Sequence, residues 1–293
     1  MSNPTAGILV IGDEILSGRT KDKNIGWLAD ELTALGISLR QARIIADDRQ
    51  TIIDNVRALS EAYDYVFTSG GIGPTHDDIT TESIACAFGV EVIRHPEAEA
   101  RLLKHYQGTD IEFNEARQKM ADIPEGATLI DNPVSAAPGY QIENVFVMAG
   151  VPSILQSMFH GFSARLTGGV QPRRITVQCA IGEGTIADIM QAISDQFAEV
   201  SVGSYPWFKP GQFGTAVVLT STDSEQGLAA QSTVLYFLHK IGAASSPNCD
   251  CGEPQTIEHI INDCEVYNSP RGIPGMTNLD AETISWLKSD LPL

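Results

Sequence analysis

The sequence is short of positive charge. Across 293 residues, 19 lysines and arginines face 37 aspartates and glutamates, a formal net charge of -18. Such bulk acidity argues against a broad nucleic-acid or anionic-membrane surface. It says little about one small anionic ligand, because screening over ~8 Å leaves that to the nearest groups. Long apolar runs are missing too. None approaches the ~18 residues of a membrane span, so no membrane partner is expected. The opening MSNPTAGILVIGDEIL has no basic stretch ahead of its one short apolar run. That is not a secretory signal, and a cytoplasmic location is the default expectation. Cysteines number five. Cys86 and Cys179 stand alone and read as buried packing. Cys249, Cys251 and Cys264 cluster with His259 near the end.

What is present is ordinary for a globular protein: 43% hydrophobic residues, 19% charged, 26 glycines. The length allows two domains, or one with an appendage. The run GILVIG (7–12) reads as a buried parallel strand. A helix is expected over 24–35, with Ile25, Leu28, Leu32 and Leu35 at helical spacing and Gly36 as C-cap. Strands are expected at 39–45 and 65–68 and helices at 51–62 and 80–88. Further helices are expected at 94–106 and 113–121, then strands at 127–130 and 145–148 and a helix to about residue 166. The alternation predicts a doubly wound, mostly parallel α/β sheet. TGGVQPRR (167–174) reads as a linker. Beyond it a strand, helix, strand, strand series predicts a small second α/β module, closed by a helix over 228–241.

In a doubly wound sheet, ligands sit outside the carboxyl ends of the strands. Two loops there are unusual, GDEILSGRTKDKN (12–24) and SGGIGPTHDD (69–78). Gly70, Gly71 and Gly73 let the backbone take positive φ and let a ligand approach the N–H groups. Alone, they fit a tight turn as well as a phosphate cradle. The expected helix start near Thr80 favours an anion by roughly 0.3–1 kcal/mol. Three acidic pairs shift the balance: Asp13–Glu14, Asp47–Asp48 and Asp77–Asp78 each end a strand or flank the loop. Carboxylates repel bare phosphate, so an acidic rim around a cradle suits a bridging divalent cation, and Mg²⁺ suits both donor types. For any single acid, a helix N-cap or a solvated charge is the alternative. His76, among them, could assist proton transfer or simply face water.

With GDEILSG, DKN (22–24), FNEARQKMADIPEGATLIDNPV, APGY and AGVP, the stretch TSGGIGPTHDD closely resembles the MoaB/Mog-like molybdopterin-binding domain. The nearest branch is the N-terminal half of competence/damage-inducible protein A, with the N-terminal domain of FAD synthetase. The resemblance covers roughly residues 6–166, and the module that follows resembles the second domain of that branch. It implies a three-layer α/β/α sandwich over 1–166 and a small module over 167–233. It also implies a phosphorylated pterin or nucleotide ligand with Mg²⁺ as cofactor, and leaves a homo-oligomer open. By position in the family pattern, Asp47 and Asp78 are the two aspartates that matter; they would hold Mg²⁺ and act in catalysis, where Asp77 or His76 could orient the nucleophile. Thr68, Ser69, Gly70, Gly71 and Gly73 would bind phosphate, and Asp13, Glu14 and Asn24 would touch ligand. The implied activity is hydrolysis of a diphosphate such as ADP-ribose or FAD. The alternative is a molybdopterin-binding protein that adenylylates its ligand or only binds it. No nicotinamide-mononucleotide deamidase or adenylyltransferase region is found, so neither activity is expected.

Residues 234–293 look foreign to this pattern and resemble the C-terminal end of a non-LTR retrotransposon reverse transcriptase. Cys249, Cys251, His259 and Cys264 have the ligand types of a tetrahedral zinc site, with free thiols as the alternative. Three basic residues stand against eight acidic ones in this stretch, so no nucleic-acid footprint is expected. It is read as an irregular fused tail without its own activity.

Overall fold

The computed structural model describes residues 3–242. The chain divides into two compact units, Met1–Gln171 and Pro172–Leu293. The first unit runs β1 (Thr5–Ile11), α1 (Asp13–Leu16), α2 (Asn24–Ala34), β2 (Ser38–Ile45), α3 (Arg49–Ala62), β3 (Tyr65–Ser69) and α4 (Thr80–Phe88). It continues through β4 (Val92–Arg94), α5 (Pro96–Tyr106), α6 (Glu115–Gln118), β5 (Asp122–Pro124), β6 (Thr128–Ile130), β7 (Gly139–Ile142), β8 (Val145–Met148) and α7 (Pro152–Phe162).

Six strands form the central sheet in the order β2-β1-β3-β8-β7-β6. β1 pairs in parallel with β2 and β3, and β3 pairs in parallel with β8. The β6 and β7 edge is antiparallel. Alternation along β1 shows the three layers directly. Ile8 and Val10 pack with Leu28 and Leu32 of α2 and with Leu155 and Phe159 of α7. Leu9 and Ile11 point the other way, against Ile52 and Val56 of α3, Ile84 of α4 and Leu102 of α5. This is a three-layer α/β/α sandwich on a mostly parallel sheet. Aromatic rings fill the α2–α7 face, with Phe146 stacked on Phe162 at 4.8 Å and on Phe67 at 5.3 Å between centroids. Ile8 is fully buried at the centre. Ile8→Val removes one methyl and should lower the stability of this unit by about 0.5–1.5 kcal/mol in urea unfolding.

Local chemistry moves several expected boundaries. Arg94 belongs to β4, not to a helix, because His95 Nδ1 accepts from Ala98 N and Pro96 starts the helix behind it. The helix expected over 113–121 is a single turn capped by Asn114, followed by a 3₁₀ turn. Cys86 is exposed, not buried: α4 turns Ile84 and Ala85 inward and Cys86 outward. Cys179 is buried as expected.

The second unit runs β9 (Arg173–Cys179), α8 (Glu183–Gln196), β10 (Val200–Lys209), β11 (Gln212–Ser221) and α9 (Ser224–Lys240). Its three strands form an antiparallel sheet in the order β10-β11-β9. Ile175, Ile186, Ile193 and Leu219 share a core with Val234 and Leu238 of α9. The boundary expected at 233/234 therefore falls inside a helix that is integral to the module. Cys249, Cys251, His259 and Cys264 lie outside the described residues.

Candidate functional site

The chain passes from β1 to β2 on one side and then returns to place β3 on the other. The sheet thus switches direction between β1 and β3, and a crevice opens at their carboxyl ends. A cleft of about 620 Å³ lies there, lined by the glycine loop, Gly12, Glu14, Arg19, Asp47, Asp77 and Asp78. That volume is ordinary for a nucleotide-sized ligand, within the ~300–1,000 Å³ range of such sites.

The glycine loop is held by its own backbone. Gly70 continues the β3–β8 ladder, its N–H donating to Met148 O at 3.1 Å. It sits at φ 108°, and a Cβ on it would lie 2.2 Å from Ile11 O. Gly71, at φ 68°, would place a Cβ 2.0 Å from Thr80 Oγ1. Both glycines are demanded by close packing of the loop on β1 and α4, whatever the ligand. Thr80 donates its hydroxyl to Gly70 O at 3.1 Å and its N–H to Gly71 O at 3.0 Å. The first amide of α4 is therefore spent on the loop and is not offered to the cleft.

The expected site residues are placed unequally. Gly70, Gly71, Gly73, Glu14, Asp47, Asp77 and Asp78 line the cleft. Thr68 is buried inside β3, and Ser69 is buried where it lines a smaller hollow next door. Asp13 is exposed on α1, and its N–H donates to Asp47 Oδ2 at 2.9 Å. Asp48 has a different task. It caps α3, its Oδ1 accepting from Thr51 N at 2.8 Å and Thr51 Oγ1 at 2.6 Å, and these bonds hold its carboxyl below the usual aspartate value. His76 is 98% exposed, with Nδ1 3.9 Å from Asp77 Oδ1. The water-facing alternative describes it.

Electrostatics separate the acids that remain. Burial pushes the Asp47 carboxyl up, and the negative charges of Asp13, Glu14 and Asp77 push it further. The Asp13 amide offsets part of this. Asp77 is exposed, its side chain 65% open to solvent. Asp78 Oδ2 accepts from Thr75 N at 2.8 Å and Thr75 Oγ1 at 2.5 Å. Both bonds fall on one oxygen of Asp78, leaving Oδ1 toward other donors or a cation. Among the described residues, no group of three or more His, Cys, Asp or Glu side chains could hold a metal ion alone. A fully caged metal does not fit. A Mg²⁺ that takes one or two carboxylates and fills the rest with phosphate oxygens and water does fit. The surplus negative charge around Asp47 is the observation that favours it.

Two basic residues that motif reasoning missed also belong to this region. Arg19 lines the cleft. Lys119 Nζ donates to Asp78 O at 2.8 Å and lies 3.7 Å from Glu82 Oε1, tying the end of the glycine loop to the α6 segment. Asn132 organises the opposite wall: its Oδ1 accepts from Val134 N and Ser135 N, and its Nδ2 donates to Ala137 O. Asn24 opens α2 and donates through Nδ2 to Ser69 Oγ and Gly150 O, each at 2.8 Å.

With this geometry in view, residues 7–168 match the family described as probable molybdopterin binding domain. Residues 173–245 match the FAD synthase middle domain. A protein from Aeropyrum pernix is 35% identical over 70% of this chain and 80% of its own length. A probable FAD synthase from Caenorhabditis elegans is 33% identical over 75% of this chain, which spans 47% of that relative. The crystal structure of the protein CinA with unknown function from Thermoplasma acidophilum shares the fold at a TM-score of 0.53. It is 32% identical and covers 56% of this chain and 99% of that one.

Proposed function

Because the chain belongs to the probable molybdopterin binding domain family, we propose that its cleft binds and hydrolyses the diphosphate of an ADP-ribose- or FAD-type nucleotide, with Mg²⁺. The observation that carries this reading is one cleft that combines a glycine turn with an acidic rim. Gly70, Gly71 and Gly73 line it together with Asp47, Asp77 and Asp78. A site built only to hold phosphate would favour Lys or Arg over carboxylates, whereas this lining has Asp47, Asp77, Asp78 and Glu14 against Arg19. The similarity to a probable FAD synthase supports a dinucleotide, since FAD carries a diphosphate.

The residues divide the work. Loop amides at 71–73 hold a phosphate, because successive N–H groups in a glycine turn make an anion-binding concavity, whereas the Gly70 amide is spent on Met148 O. Asp47 and Asp78 Oδ1 would hold Mg²⁺, which when bound supplies neutralisation of diphosphate charge. Asp77, exposed at the cleft, orients a water against one phosphorus. The water oxygen bonds to that phosphorus and the bridging P–O bond breaks. Two phosphate monoesters leave, one of them AMP, and the water's protons pass to solvent. Arg19, the cleft's basic side chain, pairs with the outer phosphate. Catalysis of this kind is mostly positioning and charge neutralisation.

The test is product analysis. Incubation with ADP-ribose or FAD and Mg²⁺ should release AMP, and EDTA should stop it. Arg19→Ala should raise KM roughly 10-fold, the loss of one charge-assisted contact, with a smaller change in kcat. Saturable binding without AMP from either substrate would reduce the site to a binder of a phosphorylated pterin or nucleotide.

A further inference from the structure

We infer that Lys119 is a positioning residue for the cleft: by holding the Asp78 backbone it aims the Asp78 carboxylate, and so sets how much Mg²⁺ the site needs. This rests on the reading of Asp47 and Asp78 as the metal-holding pair. It adds a residue from a distant part of the chain that governs metal affinity while touching neither metal nor ligand.

The other hydrogen bonds of Asp78 are local. It follows the exposed tip 74–77. Its N–H donates to Thr75 O at 3.3 Å, and its Oδ2 accepts from Thr75 N and Thr75 Oγ1. Gly73 makes room for that oxygen, since a Cβ there would lie 2.6 Å from Asp78 Oδ2. These bonds shape the turn, but Thr75 belongs to the tip itself, so tip and carboxylate could still move as one piece. Among the described residues, the hydrogen bond that carries Asp78 out of its own loop comes from Lys119, whose Nζ donates to Asp78 O at 2.8 Å.

Lys119 stands on a firm base. It opens the 3₁₀ turn Lys119–Ala121, in which Ala121 is fully buried and its carbonyl accepts from His95 N at 2.9 Å. Met120 lines the cleft, but Lys119 is not part of that lining, so it acts through Asp78 and not on the ligand. Its side chain is 29% exposed, and Glu82 Oε1 lies 3.7 Å from Nζ. A cation is thereby held at the amino end of α4, where the helix dipole disfavours it. A partly exposed pair at that distance adds little stability in return. Fold stability is therefore a weak reason for an ammonium here, and a fixed Asp78 is a stronger one. Partners that orient a metal ligand from behind matter to metal affinity nearly as much as the ligand does.

Calorimetric titration of pyrophosphate, once with Mg²⁺ and once with EDTA, tests this on the full chain and on Lys119→Met and Lys119→Arg. In Lys119→Met, pyrophosphate should bind roughly 10-fold more weakly with Mg²⁺ and equally well in EDTA. The Mg²⁺ concentration for half-maximal AMP release from ADP-ribose should rise by a similar factor, with KM for ADP-ribose unchanged at saturating Mg²⁺. Lys119→Arg keeps a charged donor and should recover most of the loss. Equal weakening with Mg²⁺ and with EDTA overturns the inference, because Lys119 then contacts phosphate or only shapes the loop. An unchanged Mg²⁺ response in Lys119→Met overturns it, as does a Lys119→Arg protein no better than Lys119→Met. Urea unfolding of Lys119→Met should stay cooperative, and a variant that does not fold assigns the lysine to the fold and overturns the inference too. Pyrophosphate binding that ignores Mg²⁺ in the unsubstituted protein defeats the metal reading of the cleft instead.

Discussion

Asp47→Asn should cut AMP release from ADP-ribose by roughly 100-fold or more in kcat/KM, and the ligand-free protein should be at least as stable as before. The two effects share one cause. Asp47 is partly desolvated and is crowded by Asp13, Glu14 and Asp77, so its carboxyl is raised above the ordinary aspartate value. The sign follows from proton linkage. Below about pH 3.9, the ordinary value, native and unfolded chains both hold the proton. As pH rises through the raised native value, the unfolded chain has already ionised and the native one ionises at a cost. Stability attributable to Asp47 is therefore present at low pH and lost by neutrality. Asparagine removes that cost and keeps an oxygen for the Asp13 amide. The gain is ~0.5 kcal/mol or less, because the side chain is partly open to solvent. Thermal melts of both proteins with and without Mg²⁺ check the pair of effects. A variant that keeps Mg²⁺-dependent AMP release shows that Asp47 is not the residue on which metal and substrate converge.

Those two properties of Asp47 could not be read from the chain. Its place at the end of β2 was legible, because Leu39–Ile45 and GILVIG are the kinds of run that parallel strands need. The three layers followed from helical spacing, as in Ile52, Val56 and Leu59 of α3. Asp48 looked equivalent to its neighbour, and only the reach of its carboxyl to Thr51, three residues on, separates a cap from a cleft residue. That spacing is itself a capping signal that can be read in advance. Cys86 could have been placed outside by extending the α4 period from Ile84. The short strands β4 and β7 gave too few residues to show a period, and β7 lies in a stretch punctuated by Pro and Gly. Arg19 and Lys119 are single basic residues with no spacing rule. Their relevance comes from contacts across 41 residues for Lys119 and Asp78, which only the folded chain creates.

Gly70→Ala should be the most damaging single-atom addition near the cleft, costing about 3 kcal/mol or more of stability. Two terms add. At φ 108° a non-glycine residue is strained, by roughly 1–3 kcal/mol. The new methyl would also lie 2.2 Å from Ile11 O, a backbone atom at the end of a strand paired on both sides. Neither partner can swing away as a side chain could, so β1 or the loop must shift. A shift of the loop also disturbs the Gly70 bond to Met148 and the Thr80 bond to Gly70, and with them the turn proposed to hold phosphate. Stability and ligand affinity should fall together in urea unfolding and pyrophosphate titration. Gly26→Ala is the contrast. Gly26 is exposed within α2, and a Cβ there meets nothing within 4 Å. Only helix propensity acts, and the change should stabilise by about 0.8–1 kcal/mol. If Gly70→Ala behaved like Gly26→Ala, the loop would not be held against β1 as described. The cradle would then be a flexible turn that takes its shape only from its ligand.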